Sequence, residues 1–141
     1  METVERHVTL PAEPDRAWEL LTRPEDLSAW LGDEVVLDPT PGATGTVVER
    51  DGTRRHLVVD EVDAGRRLSW HWRTDGEGEA SHVEITLVPT DGGTLVRVVE
   101  QLAPSSSAPL QARATAGAGE AWSHRLLHLE ALLLVAAAVR G

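Results

Sequence analysis

GEAWSHRLLHLEALLLVAAAV, Gly119 to Val139, is the stretch on which the fold turns. Trp122, Leu126, Leu129 and Leu133 recur at spacings of four, three and four, which lines them along one stripe of a helix. The spacing predicts the longest helix of the chain over residues 120–139. Upstream, from residue 34 to 102, the apolar period is two instead. Val35–Leu37, Thr46–Arg50, Arg54–Val62, Arg67–Arg73, His82–Val88 and Leu95–Leu102 read as six successive strands. Pro39–Gly45, Asp51-Gly52, Asp63-Ala64-Gly65 and Asp91-Gly92-Gly93 supply turns, Asp51-Gly52 being the strongest hairpin signal. Asp75–Glu79 is polar and Gly-rich and reads as a mobile loop.

Ahead of the meander, Val4, Val8 and Leu10 alternate with Glu5, His7 and Thr9 in a first strand. Two short helices follow, each opened by Pro and acidic residues: Glu13 to Thr22, and Pro24 to Leu31 before Gly32. Residues 103–118 (Ala-Pro-Ser-Ser-Ser-Ala-Pro, then Ala and Gly) read as a flexible connection with a short helical piece around Leu110–Thr115. The order of elements is strand, two short helices, six strands, long helix. An apolar sheet face must be covered, and only the last helix is long enough to cover it. The expected architecture is α+β: a curved antiparallel sheet wrapped around the long C-terminal helix, in one domain spanning residues 1–141.

Composition narrows the functions. Thirteen basic residues, all Arg, face 23 acidic ones, giving a net charge of −10. A field of that sign repels phosphate backbones and anionic headgroups, so nucleic acid and membrane surfaces are poor partners. With no Lys there is no Schiff-base chemistry, and with no Cys no disulfide or thiolate. The apolar run Leu126–Val139 falls short of the roughly 18–20 residues that span a bilayer. The charged start shows no signal peptide, and a cytoplasmic location is expected. There is no phosphate-cradling Gly loop, dinucleotide fingerprint or nucleophile elbow, so no cofactor is expected.

LPAEPDRAWELLTRPEDLSAWLG (Leu10–Gly32) resembles the opening of the family of homologues of the activator of the heat-shock-protein-90 ATPase. The positions that carry the resemblance are Pro11, Ala12, Trp18, Leu21, Thr22, Pro24, Glu25, Trp30 and Gly32. VDEVDAGRRLSWHW, GGTLVRVVEQL and GEAWSHRLLHLEALL are similar to three later stretches of that family, in the same order. The resemblance implies a prokaryotic single-domain member of the START-like, or SRPBCC, superfamily. It implies a helix-grip fold with a ligand cavity between sheet and C-terminal helix. Superfamily relatives bind lipids, hormones and polyketides, and some are cyclases, dehydratases or hydrolases. The separate chaperone-binding domain of the eukaryotic co-chaperone has no counterpart here, so co-chaperone activity is not carried over.

Candidate cavity residues follow from phase. Val96, Val98 and Glu100 share one strand face, and Leu68, Trp70 and Trp72 another. Trp30 joins from the second short helix, and Trp122, Leu126 and Leu129 from the long one. Glu100, if it points inward with Val96 and Val98, is a candidate general acid or base; a twist at the strand end would leave it solvated instead. His56, His71 and His82 lie on neighbouring strands. With the Trp face inward they point outward and read as solvated, so no metal set is assigned. Glu120, His124 and His128 stack on the helix side opposite the Leu stripe and read as a solvated or subunit-facing stripe.

The favoured function is binding of an apolar or aromatic small molecule in the sheet–helix cavity, for sensing, carriage or sequestration. A cyclase-, dehydratase- or hydrolase-type enzyme is the alternative; it needs two convergent polar groups, and only Glu100 is nominated, so catalysis ranks below binding. A stress-related protein-interaction module is the third reading. The apolar tail Leu132–Val139 exceeds what one face needs, which predicts contact with a second subunit in a homodimer.

Overall fold

Strands form where the alternation runs, and helices where Pro and acidic residues open an apolar stripe. The computed structural model describes residues 2–75, 79–104 and 107–140, the last seven of these by backbone alone. The elements are β1 (Thr3–Leu10), α1 (Pro14–Thr22), α2 (Pro24–Trp30), β2 (Glu34–Val36), β3 (Thr44–Val48), β4 (Arg54–Asp63), β5 (Arg67–Thr74), β6 (Ser81–Thr90), β7 (Gly93–Gln101) and α3 (Ala108–Arg140). Pro14 and Pro24 open the short helices, with Asp15, Glu25 and Asp26 in the first turns. There a missing N–H costs nothing and the helix dipole favours negative charge. Trp30 ties the two helices together, its indole N–H donating to the Leu20 carbonyl at 2.8 Å.

All seven strands join one antiparallel sheet in the order β1-β7-β6-β5-β4-β3-β2. The meander β2–β7 is closed on one side by β1, which sets Val4 opposite Glu100 and Val8 opposite Val96. Asp51-Gly52 does join β3 to β4, but through a longer loop than a two-residue hairpin. Glu49 N–H donates to Thr53 O at 2.8 Å, and Gly52 takes a φ of 90°, a left-handed conformation open to glycine without strain. The β6–β7 turn is tight, with Thr90 paired to Gly93. A Cβ at Gly93 would lie 1.9 Å from the Leu10 carbonyl oxygen, so glycine is what lets β7 begin so close to the end of β1. β4 carries one irregularity. The register shifts between Val59 and Glu61, which leaves Asp60 without a cross-strand partner.

The long helix corrects one expectation. Instead of a flexible connection and a separate rod, α3 is continuous from Ala108 to Arg140. Pro109 falls in the first turn, where its missing N–H is harmless. Gly117 and Gly119 each cost about 1 kcal/mol relative to Ala in a helix. Extending a helix already held in place by packing is nonetheless far cheaper than starting one. Residues 76–78 of the Gly-rich loop, Ser105 and Ser106, and the side chains of the apolar tail from Leu134 onward lie outside the described residues. Among the described residues no helix is long and apolar enough to cross a membrane.

The core lies between the concave face of the sheet and the second half of α3, with α1 and α2 at one end. Leu68, Trp70 and Trp72 from β5, Val96 and Val98 from β7, Leu27 and Trp30 from α2, and Trp122, Leu126 and Leu129 from α3 are all buried. Each such side chain stabilises by roughly 1.5–3 kcal/mol, so this half of α3 is fixed to the sheet. On the β1 side Arg6 donates to the Ser123 hydroxyl at 3.1 Å.

Candidate functional site

The two halves of α3 meet the sheet differently because their side chains differ in size. Trp122, Leu126 and Leu129 fill the space under the second half. In the first half the residues that line the space beside the sheet are Leu110, Ala114, Gly117, Ala118 and Ala121, ending at Arg125, with Leu110, Ala114 and Gly117 exposed. Alanine and glycine do not reach the strands, and a cavity of about 980 Å³ remains. That volume lies near the top of the roughly 300–1,000 Å³ usual for small-molecule sites. Across from the helix stand Arg55 of β4, Trp72 and Arg73 of β5, Glu100 of β7, and Leu102 and Pro104 beyond it. Glu49, Asp51 and Thr53 from the β3–β4 loop make one rim polar.

Glu100 anchors the floor. It is only 2% exposed, and each carboxylate oxygen accepts an indole N–H: Oε2 from Trp72 at 2.7 Å and Oε1 from Trp122 at 2.8 Å. The two indoles stack, with centroids 5.8 Å apart and planes 24° from parallel. A charge-assisted pair of this kind locks both rings, which otherwise have broad χ2 wells. Two guanidiniums cover the aromatic surface. Arg125 lies 4.6 Å from the Trp122 centroid and 5.2 Å from that of Trp72, and Arg55 lies 4.6 Å from Trp72. Such cation–π contacts are worth about 0.5–2 kcal/mol each.

Glu49 carries the opposite charge to both guanidiniums. It pairs with Arg125, and its Oε1 lies 3.4 Å from Arg55 Nε. Arg125 Nε also donates to the Leu31 carbonyl at 3.3 Å. Burial pushes the Arg125 guanidinium below its ordinary pKa, while Glu49 pulls it back up and Arg55 adds to the lowering. Arginine remains charged throughout. The floor is therefore two acids and two arginines wound around two indoles, with each Glu100 oxygen accepting one indole N–H.

Of the residues expected to line a pocket, Trp72 and Glu100 do so, and Trp122 stands behind them. Leu68, Trp70, Val96, Val98, Leu126 and Leu129 are packed core, and Trp30 borders a separate crevice of about 150 Å³ beside His124 and His128. The cavity wall mixes polar and apolar surface in similar measure, a correction to the apolar hollow expected. Sequence reasoning missed Arg55, Arg125, Glu49 and the whole Ala/Gly stripe. The signal for the stripe was present in the repeat of small residues at Ala114, Gly117, Ala118 and Ala121. Among the described residues no histidine lines the cavity to act with Glu100 as a second acid–base group. His124 is exposed and His128 half-buried, and His56, His71 and His82 are on the outer face of the sheet.

A sheet gripping one long helix over a cavity is a known arrangement, and the family model described as Activator of Hsp90 ATPase homolog 1-like protein matches residues 11–134. The chain belongs to this family. As an Activator of Hsp90 ATPase homolog 1-like protein it has the helix-grip fold of the SRPBCC superfamily, a ligand-binding or cyclase-type scaffold. It is similar to protein MLL2253 from Mesorhizobium loti, at 28% identity and a TM-score of 0.81, covering 94% of this chain and 96% of that one. DynU16, from the dynemicin biosynthetic locus, is 26% identical at a TM-score of 0.82 over 94% of this chain, which spans 47% of DynU16. The Aha1 dimer from Colwellia psychrerythraea shares the fold, at 16% identity and a TM-score of 0.73 over 92% of this chain and 94% of that one. No curated protein matches the sequence.

Proposed function

We propose that this Activator of Hsp90 ATPase homolog 1-like domain binds one small molecule with an apolar or aromatic body in the cavity under the first half of α3. The body lies along Ala114, Gly117, Ala118 and Ala121, and polar substituents reach Arg55, Arg73 and the β3–β4 loop. The observation that carries this reading is the floor itself. Trp72, Trp122, Glu100 and Arg125 hold one another through hydrogen bonds and cation–π contacts, so the floor is in place before any ligand arrives. Preorganisation of that kind lowers the cost of binding.

Binding, in the sense of sensing, carriage or sequestration in the cytoplasm, is favoured over catalysis on the same geometry. Glu100 is the one carboxylate of the floor held by indoles, and among the described residues no histidine lines the cavity to serve as the second acid–base group. The likeness to a protein from a biosynthetic locus supports a small-molecule partner. The Aha1 relative is a dimer, and a second copy of this chain is the protein partner this reading favours.

Titration of the full chain with anilinonaphthalene sulfonate tests the reading. Saturable one-to-one enhancement of dye emission, with matching quenching of tryptophan emission, is expected. No enhancement, or unsaturable partitioning, would count against an open cavity beside Trp72.

A further inference from the structure

The outer face of the sheet, away from the cavity, holds a second cluster with its own chemistry. We propose that Asp60, His71 and His82 form a binding site for a divalent transition-metal ion of the zinc class. His71 and His82 are direct cross-strand partners on β5 and β6, and their rings lie 4.7 Å apart between centroids. The third member arrives through the irregularity in β4. His71 pairs with Val58, and the bulge after Val59 inserts Asp60 as an additional residue beside that pair. Bulges re-aim side chains in this way.

The result is two imidazoles and a carboxylate whose nearest nitrogen and oxygen atoms all lie within 4.8 Å of one another. His82 Nε2 is 3.5 Å from Asp60 Oδ2, and His71 Nδ1 touches the same oxygen. Asp60 Oδ2 is itself shielded from solvent and makes no hydrogen bond of acceptable geometry. A buried carboxylate oxygen of that kind is costly unless a donor or a cation satisfies it. Two nitrogens and one oxygen suit zinc, cobalt or nickel, with bonds near 2.0–2.2 Å, and leave at least one position for water.

His56 completes no such set. It faces Asp75 across 3.4 Å and belongs to a different pair, so the trio is not the one that strand adjacency in the sequence brought to mind. The open position of the ion would border a groove of about 670 Å³ that His71 lines together with Val36 and Val58. An ion there ties β4, β5 and β6 together, so binding stabilises the fold by mass action.

The test is titration of the tag-free, chelator-stripped full chain with cobalt(II), followed by visible absorption, and with zinc(II), followed by calorimetry and thermal unfolding. One ion per chain, a ligand-field band and a rise in Tm with zinc are expected. His82→Ala and Asp60→Asn should weaken binding by more than about tenfold, while His56→Ala leaves it unchanged. Three results would overturn the site: no saturable binding by the wild-type chain, equal affinity in His82→Ala, or a loss in His56→Ala as large as in His82→Ala.

Discussion

Replacing Gly117 by leucine asks whether the hollow beneath α3 is real. A Cβ built at Gly117 meets nothing within 4 Å, so a leucine side chain there begins in open space at the edge of the cavity that Gly117 and Trp72 both line. Glycine inside a helix is about 0.8–1 kcal/mol worse than Ala, and leucine is close to Ala, so the exchange gains about 0.8 kcal/mol from helix propensity alone. Unfolding entropy near 2.1 cal/mol/K per residue over 141 residues is about 0.3 kcal/mol/K, which converts that gain into a rise of about 3 °C in Tm. The same side chain occupies the space the dye needs. Gly117→Leu should therefore melt higher than wild type in a calorimetric scan and bind anilinonaphthalene sulfonate at least tenfold more weakly. A fall in Tm would mean that the helix already packs on the strands there. Unchanged dye affinity would place the dye, and the cavity, elsewhere.

Two further perturbations probe the floor and the sheet edge. Glu100→Gln sets an amide donor against one of the two indole N–H groups, and urea unfolding should show a loss of about 1–3 kcal/mol; an unchanged midpoint would mean that the carboxylate does not hold the two rings. Glu5, on β1, is held below its ordinary pKa of 4.5, first by the hydrogen bond from Arg97 and then by that residue's charge. A depressed carboxylate contributes stability that is complete above its unfolded value and is lost as pH falls through the folded one. Arg97→Gln should flatten the acid limb of Tm against pH below about pH 4.5, and should move Glu5 upward in an NMR titration; an unaltered limb would show that the exposed pair contributes nothing.

Much of the fold was legible because period two propagates along a strand. Once Leu68, Trp70 and Trp72 are taken as inward, every second residue follows, and the same logic turned Glu100 in with Val96 and Val98. The residues around Asp60 escaped it because a bulge changes phase without a glycine to announce it. The first half of α3 escaped for a different reason. Gly117 and Gly119 argue against a helix locally, and only the attachment to Trp122 overrides them. The partition between core and cavity depends on which strand position faces which turn of α3. Trp70 and Trp72 are two residues apart in one strand, yet the first is enclosed in the core and the second borders the cavity. Arg125 was hidden in the same way, its stem on the apolar stripe and its guanidinium reaching Glu49 across the fold.

Native mass spectrometry of the chain purified from its own host, beside Gly117→Trp prepared identically, bears most directly on the cavity as a binding site. The wild-type protein should carry one extra small mass that denaturing conditions release, and the tryptophan variant, with the hollow occupied, should fly without it. A wild-type chain free of any retained mass, or the same mass held equally by both proteins, would contradict a guest lodged between α3 and the sheet.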